Sequence, residues 1–90
     1  MLLLIILSGC ARPPLQKLDA ASYLLDRAHT LQAVELAPTE YQSALTALNE
    51  AKASLEARDY RNAEASLDFS LLHTRRAIAL TEQLKSNQRA

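Results

Sequence analysis

The amino-acid sequence predicts an all-α protein, a short up-down-up bundle of three helices. Three observations lead there. Leucine, alanine and charged residues dominate the 90 positions, tryptophan is absent, and the one glycine is Gly9; this is a composition that suits packed helices. From Leu15 onward, apolar residues recur at the helical period in three successive segments. One pattern also occurs twice: Tyr41, Ala44 and Leu48 share residue types and spacing with Tyr60, Ala63 and Leu67, each set preceded by an acid, Glu40 or Asp59. Connections of only a few residues between consecutive helices call for antiparallel neighbours.

The chain opens on Leu2 to Leu7, an apolar run too short to cross a bilayer, and then Ser8, Gly9 and Cys10. An apolar run ending in small residues has the form of a secretory signal with its cleavage site. Leu7-Ser8-Gly9-Cys10 resembles the lipobox of bacterial lipoproteins. That resemblance implies a diacylglycerol thioether on Cys10, cleavage before it and acylation of the new terminus, with several acyl chains giving stable anchoring. Residues 1–9 carry no basic leading region and are expected to be the remnant of such a signal, truncated at its start. Ala11, rather than Asp, follows the cysteine, which by analogy with enterobacterial sorting permits transport to the outer membrane, and the expected location is the outer membrane facing the periplasm. Arg12-Pro13-Pro14 completes a short extended spacer over 10–14.

The helical domain is expected over 15–90. The first helix, about 15–36, buries Leu18, Ala21, Leu24, Leu25, Ala28 and Leu31 and turns Asp19, Asp26 and Thr30 outward. Pro38 ends it, because the residue before a proline avoids helical geometry. The second helix, about 39–57, starts either at a Thr39 cap with Gln42 in capping-box register or with Pro38 in its first turn. Its apolar arc is Tyr41, Ala44, Leu45, Leu48, Ala51 and Leu55. Asp59 caps the third helix, about 60–86, whose uncharged arc is the widest. Leu67, Leu71 and Ile78 lie along one side of that arc and Phe69, Leu80 and Leu84 along the other, a width that fits contact with both other helices. Tyr23, Val34 and Leu72 fall outside the stripes and are the candidate exposed apolar contacts. Arg75 and Arg76, with Lys85 and Arg89, make the end of the third helix basic, which macrodipole complementarity and solubility explain; the alternative is that this end, expected to point away from the anchor, meets peptidoglycan carboxylates or an acidic protein.

Chemistry has little to work with. Ten basic residues balance ten acidic ones, so no field draws the chain to nucleic acid. A single cysteine excludes an internal disulfide. His29 and His73 are the only histidines, and two of them are a weak basis for a metal site. No glycine-rich loop cradles phosphate, and no serine stands at a telling distance from a histidine. The expectation is a non-enzyme with no cofactor or metal, apart from covalent lipid on Cys10.

The run Ala37-Pro38-x-Glu40-Tyr41-x-x-Ala44-x-x-x-Leu48-x-x-Ala51-x-x-x-Leu55-x-x-x-Asp59-Tyr60-x-x-Ala63 resembles the small alanine-rich helical lipoproteins catalogued as domain of unknown function 4398. Hairpins of the tetratricopeptide type use similar alanine and Asp-Tyr positions, so the second and third helices are expected to form a hairpin of that character. The resemblance implies no catalytic residues. The expected function is a lipid-anchored, non-catalytic interaction or scaffold module of the bacterial cell envelope, binding a protein partner or itself. The alternatives are a structural envelope lipoprotein forming a coiled-coil oligomer, or a ligand- or metal-binding accessory protein that recruits His29 or His73.

Overall fold

The computed structural model describes residues 12–89; the lipobox residues Leu7, Ser8, Gly9 and Cys10 lie outside them. The described residues are all-helical, with four helices: α1 (Leu15–Thr30), α2 (Ala33–Leu36), α3 (Pro38–Glu56) and α4 (Tyr60–Arg89). At about 1.5 Å per residue α4 is about 45 Å long, and it packs along α1, α2 and α3. Ser70 and His73 of α4 meet Ala44 and Glu40 of α3 in descending order, so these two helices run in opposite senses. Lys17 meets Glu64 and Asp68 near the start of α4, and Leu31 faces Glu82 and Lys85 near its end, so α1 runs in the sense of α4.

The expected single helix over 15–36 is divided. It stops at Thr30, and Gln32 takes a left-handed conformation with φ 73° before the one-turn α2. The amide of Gln32 donates to the carbonyl of His29 at 3.0 Å, satisfying one of the carbonyls a helix end leaves open. The residue that usually marks such a cap is glycine, and only Gly9 exists in this chain. The same substitution ends α3. There Arg58 has φ 60°, its amide donates to Leu55 at 3.0 Å, and the Asp59 amide donates to Ser54 at 2.8 Å. Those two bonds are the Schellman pattern with arginine in glycine's place.

α3 begins with Pro38 at its first helical position, and Ala37 before it makes no side-chain cap. Thr39 is therefore inside the helix rather than its cap; proline needs none of the amide hydrogen that the first turn leaves unpaired. α4 is capped by Asp59, whose Oδ1 accepts the Asn62 amide at 3.3 Å.

Small side chains build the interior. One cluster joins Ala21 and Leu25 of α1, Ala44, Leu48 and Ala51 of α3, and Leu67 and Leu71 of α4. A second joins Ala28, Ala33, Ala37 and Ala77, and Tyr41 packs against both. Ala63, Leu67, Ser70, Thr74, Ala77 and Thr81, all buried, follow one another at alternating spacings of four and three along α4. That is a heptad seam, and its alanine, serine and threonine residues let the neighbouring axes approach closely. Because the contact is close and narrow, it does not reach the far rim of the uncharged arc. Phe69 and Leu80, expected inside, are exposed, whereas Leu84 on the same rim is half-buried.

Candidate functional site

The outward face of α4 concentrates the surface features. Phe69 is 49% exposed, Leu72 44% and Leu80 39%, and helical spacing puts them with Ala65, Arg76, Ala79 and Gln83 on one stripe. Of the sequence-predicted surface residues, Leu72 and Arg76 lie on this stripe and Arg75 lies on its flank. Tyr23 and Val34 are also exposed but sit on α1 and α2. The five do not form one patch.

Phe69 is held in place rather than loose. Its ring lies over the His73 imidazole, with centroids 4.2 Å apart and planes tilted by 37°. His73 is fixed in turn from α3, with its Nδ1 2.7 Å from Glu40 Oε2. A half-buried imidazole against a carboxylate thus supports an exposed aromatic ring, and an ordered ring loses less entropy when a partner covers it. Ala47 and Glu50 of α3 and Ser66 of α4 line a shallow groove beside it. The sequence placed His73 in the uncharged arc but did not reveal Glu40 as its partner, because the pair joins two helices 33 positions apart.

His29 belongs to a different neighbourhood. It is exposed, and its ring centroid lies 6.3 Å from that of Tyr41. His73 instead pairs with Glu40, so the two histidines serve different partners. Among the described residues no group of three or more His, Cys, Asp or Glu side chains is placed to hold a metal ion, and no helix is long and apolar enough to cross a membrane.

Beneath the stripe runs a polar seam. The Ser70 hydroxyl donates to the Ala44 carbonyl of α3 at 2.8 Å, and the Thr74 hydroxyl donates to the Ser70 carbonyl at 2.7 Å. Thr81 is fully buried, and its hydroxyl has no partner among the described residues. These residues were legible as uncharged but not as buried, since serine and threonine are mostly surface residues. On the α1 side, Lys17 Nζ reaches Glu64 at 2.7 Å and Asp68 at 2.9 Å. Hydrogen bonds to Glu64 and then Asp68 raise the Lys17 pKa above its ordinary 10.5. The ammonium therefore remains charged at neutral pH and ties the start of α1 to α4.

Taken together these features define an all-helical protein whose long helices meet through small side chains and whose longest helix carries an outer stripe of exposed apolar side chains interrupted by Arg76. The chain belongs to the family described as Domain of unknown function (DUF4398), whose profile matches residues 16–90. No curated protein and no solved structure matches it.

Proposed function

We propose that this chain is a lipid-anchored, non-catalytic interaction module of the bacterial cell envelope, tethered through Cys10 and most naturally located at the outer membrane facing the periplasm. The observation that carries the interaction role is the row of large exposed side chains on α4, with Phe69 held against His73. Three large apolar side chains at helical spacing along one outer face suit a binding surface better than scattered surface residues. The helices act as a scaffold for that surface. The finer architecture we infer is an up-down-up bundle of three long helices in which α3 and α4 form a hairpin of tetratricopeptide-like character. The opposed senses of α3 and α4, and α1 running with α4, support it. The anchor rests on Leu7-Ser8-Gly9-Cys10. The profile match begins at residue 16, after the cysteine, so the anchor stands on those four residues.

Intact mass and membrane fractionation of the natively expressed protein, beside a Cys10→Ser variant, test the tether. The expected result is a chain starting at Cys10, carrying acyl chains and sedimenting with membranes, with both properties lost in the variant. An unmodified chain in the soluble fraction that still begins with Met1 refutes it. Crosslinking in membranes then reads the interaction role. Leu72→Asp is expected to abolish the crosslinked species, and crosslinks unchanged by that substitution would move the binding surface elsewhere.

A further inference from the structure

We propose that the outer stripe of α4 pairs with the same stripe of a second copy, antiparallel and in one register, making the protein a homodimer. This deepens the interaction reading above by naming the partner of that surface.

The stripe is itself a heptad seam, the second that α4 carries. Ala65, Phe69, Leu72, Arg76, Ala79 and Gln83 follow at spacings of four, three, four, three and four, and all are exposed. A repeat of this period is the pattern by which one helix packs along another. The inner seam is already filled by α1, α2 and α3. The outer seam is exposed along its length, with Ala65 and Phe69 bordering the shallow groove against Ala47 and Glu50 of α3.

The occupant is named by the charges on the flank. Arg61, Asp68, Arg75 and Glu82 succeed one another at intervals of seven residues, with the sign alternating at each step, and all four are exposed. In an antiparallel helix pair, flanking residues on one edge meet the same edge of the partner. When Phe69 packs on the partner's Leu72, Ala65 lies opposite the partner's Arg76. Arg61 then faces the partner's Glu82, and Asp68 faces the partner's Arg75. The two-fold axis repeats both contacts, so every flanking charge meets its opposite. Arg76 crosses a small alanine, where its stem covers apolar surface and its guanidinium stays in water.

Competing arrangements fail on the same residues. Sliding one copy by a heptad in one direction puts Arg75 against the partner's Arg75 and Asp68 against the partner's Glu82. Sliding it the other way puts Asp68 against the partner's Asp68 and Arg61 against the partner's Arg75. A parallel pair in register sets Arg76 against the partner's Arg76 in the seam. A flank that alternates in sign every heptad thus accepts one antiparallel register and repels its nearest neighbours. Asp68 also meets Lys17 of its own chain, but neither that contact nor an unrelated partner helix gives a reason for the sign order of Arg61, Arg75 and Glu82 along the same edge.

Sedimentation of the full chain across a concentration series, in density-matched detergent, tests the pairing with three charge-swap variants. Arg75→Asp makes both central pairs like-charged and is expected to weaken dimerisation about tenfold or more. Asp68→Arg has the same effect; because it also removes one of the two Lys17 contacts, Arg75→Asp is the cleaner single variant. The double variant carrying both swaps restores opposite charges at every central contact and is expected to return dimerisation to within about threefold of the parent. A chain that stays monomeric at all concentrations overturns the proposal. So does a dimer indifferent to Arg75→Asp, or one that the double variant fails to restore. A monomer that carries acyl chains on Cys10 sinks the pairing and leaves the tether standing. A dimer without lipid does the reverse.

Discussion

Leu67 is the test of where stability resides. It is fully buried, and the cluster around it contains Ala21, Leu25, Ala44, Leu48, Ala51 and Leu71. Leu67→Ala removes three carbons, a transfer loss of about 2.4 kcal/mol at about 0.8 kcal/mol per buried methylene. A cavity term adds to this, because three of the six neighbours are alanines with no rotamers to swing into the space. The expected destabilisation is about 3–4.5 kcal/mol, towards the upper part of the range for buried leucine truncations. For a domain of this size, whose total stability is expected at about 5–10 kcal/mol, that is a large share. Urea unfolding followed by helical circular dichroism measures it, with Tyr23→Ala as the comparison. Tyr23 is the larger side chain but is 67% exposed, so its truncation is expected to cost less than about 1 kcal/mol. If Leu67→Ala unfolds within about 1 kcal/mol of the parent, or Tyr23→Ala costs as much, the small-residue seam does not hold the helices together.

Three further expectations follow from the caps, the polar seam and the α1 clamp. Gln32→Gly and Arg58→Gly relieve left-handed backbone at φ 73° and 60° and are each expected to stabilise by about 0.5–1 kcal/mol in the same urea experiment; a loss at both positions contradicts the cap assignment. Thr81→Val replaces a buried hydroxyl without a partner among the described residues and is expected to be neutral or to stabilise by about 1 kcal/mol, whereas Ser70→Ala breaks the bond to Ala44 and is expected to cost about 1 kcal/mol; the opposite ordering in thermal melts refutes the seam. Lys17 has a pKa raised in the fold, so its stabilising contribution is present in full below the ordinary 10.5 and is lost as pH climbs through the raised value. The stability gap between the parent and Lys17→Met is therefore expected to shrink above that pH in melts taken from neutral to alkaline conditions, and a gap independent of pH removes the clamp.

The repeat Tyr41-x-x-Ala44-x-x-x-Leu48 and Tyr60-x-x-Ala63-x-x-x-Leu67 was enough to identify the α3 and α4 patterns, and the stretch from Ala37 to Ala63 pointed to the family that the profile match shows. Asp59 was legible as a cap because an acid before a helical stripe carries its reason locally. The break after Thr30 was not, because its left-handed residue is Gln32 rather than a glycine or asparagine that would announce it. The support under Phe69 was illegible for a different reason. Glu40 and His73 are ordinary polar residues in their own segments and become a pair only when α3 lies along α4.

As a string of residues the chain is already helical, with apolar stripes that turn inward on α1 and α3 and charges that balance. Those properties follow from period and composition, which act over a few residues. Which edge of the wide α4 arc is covered is set by the packing of the helices against one another. Hydropathy rates Phe69 and Leu71 as comparably apolar and places both in that arc, yet Leu71 is buried against α1 and α3 while Phe69 stands in water. The choice depends on how closely Ala44, Ser70 and Ala77 let three helices approach, and that distance is a property of the packed set rather than of any one segment.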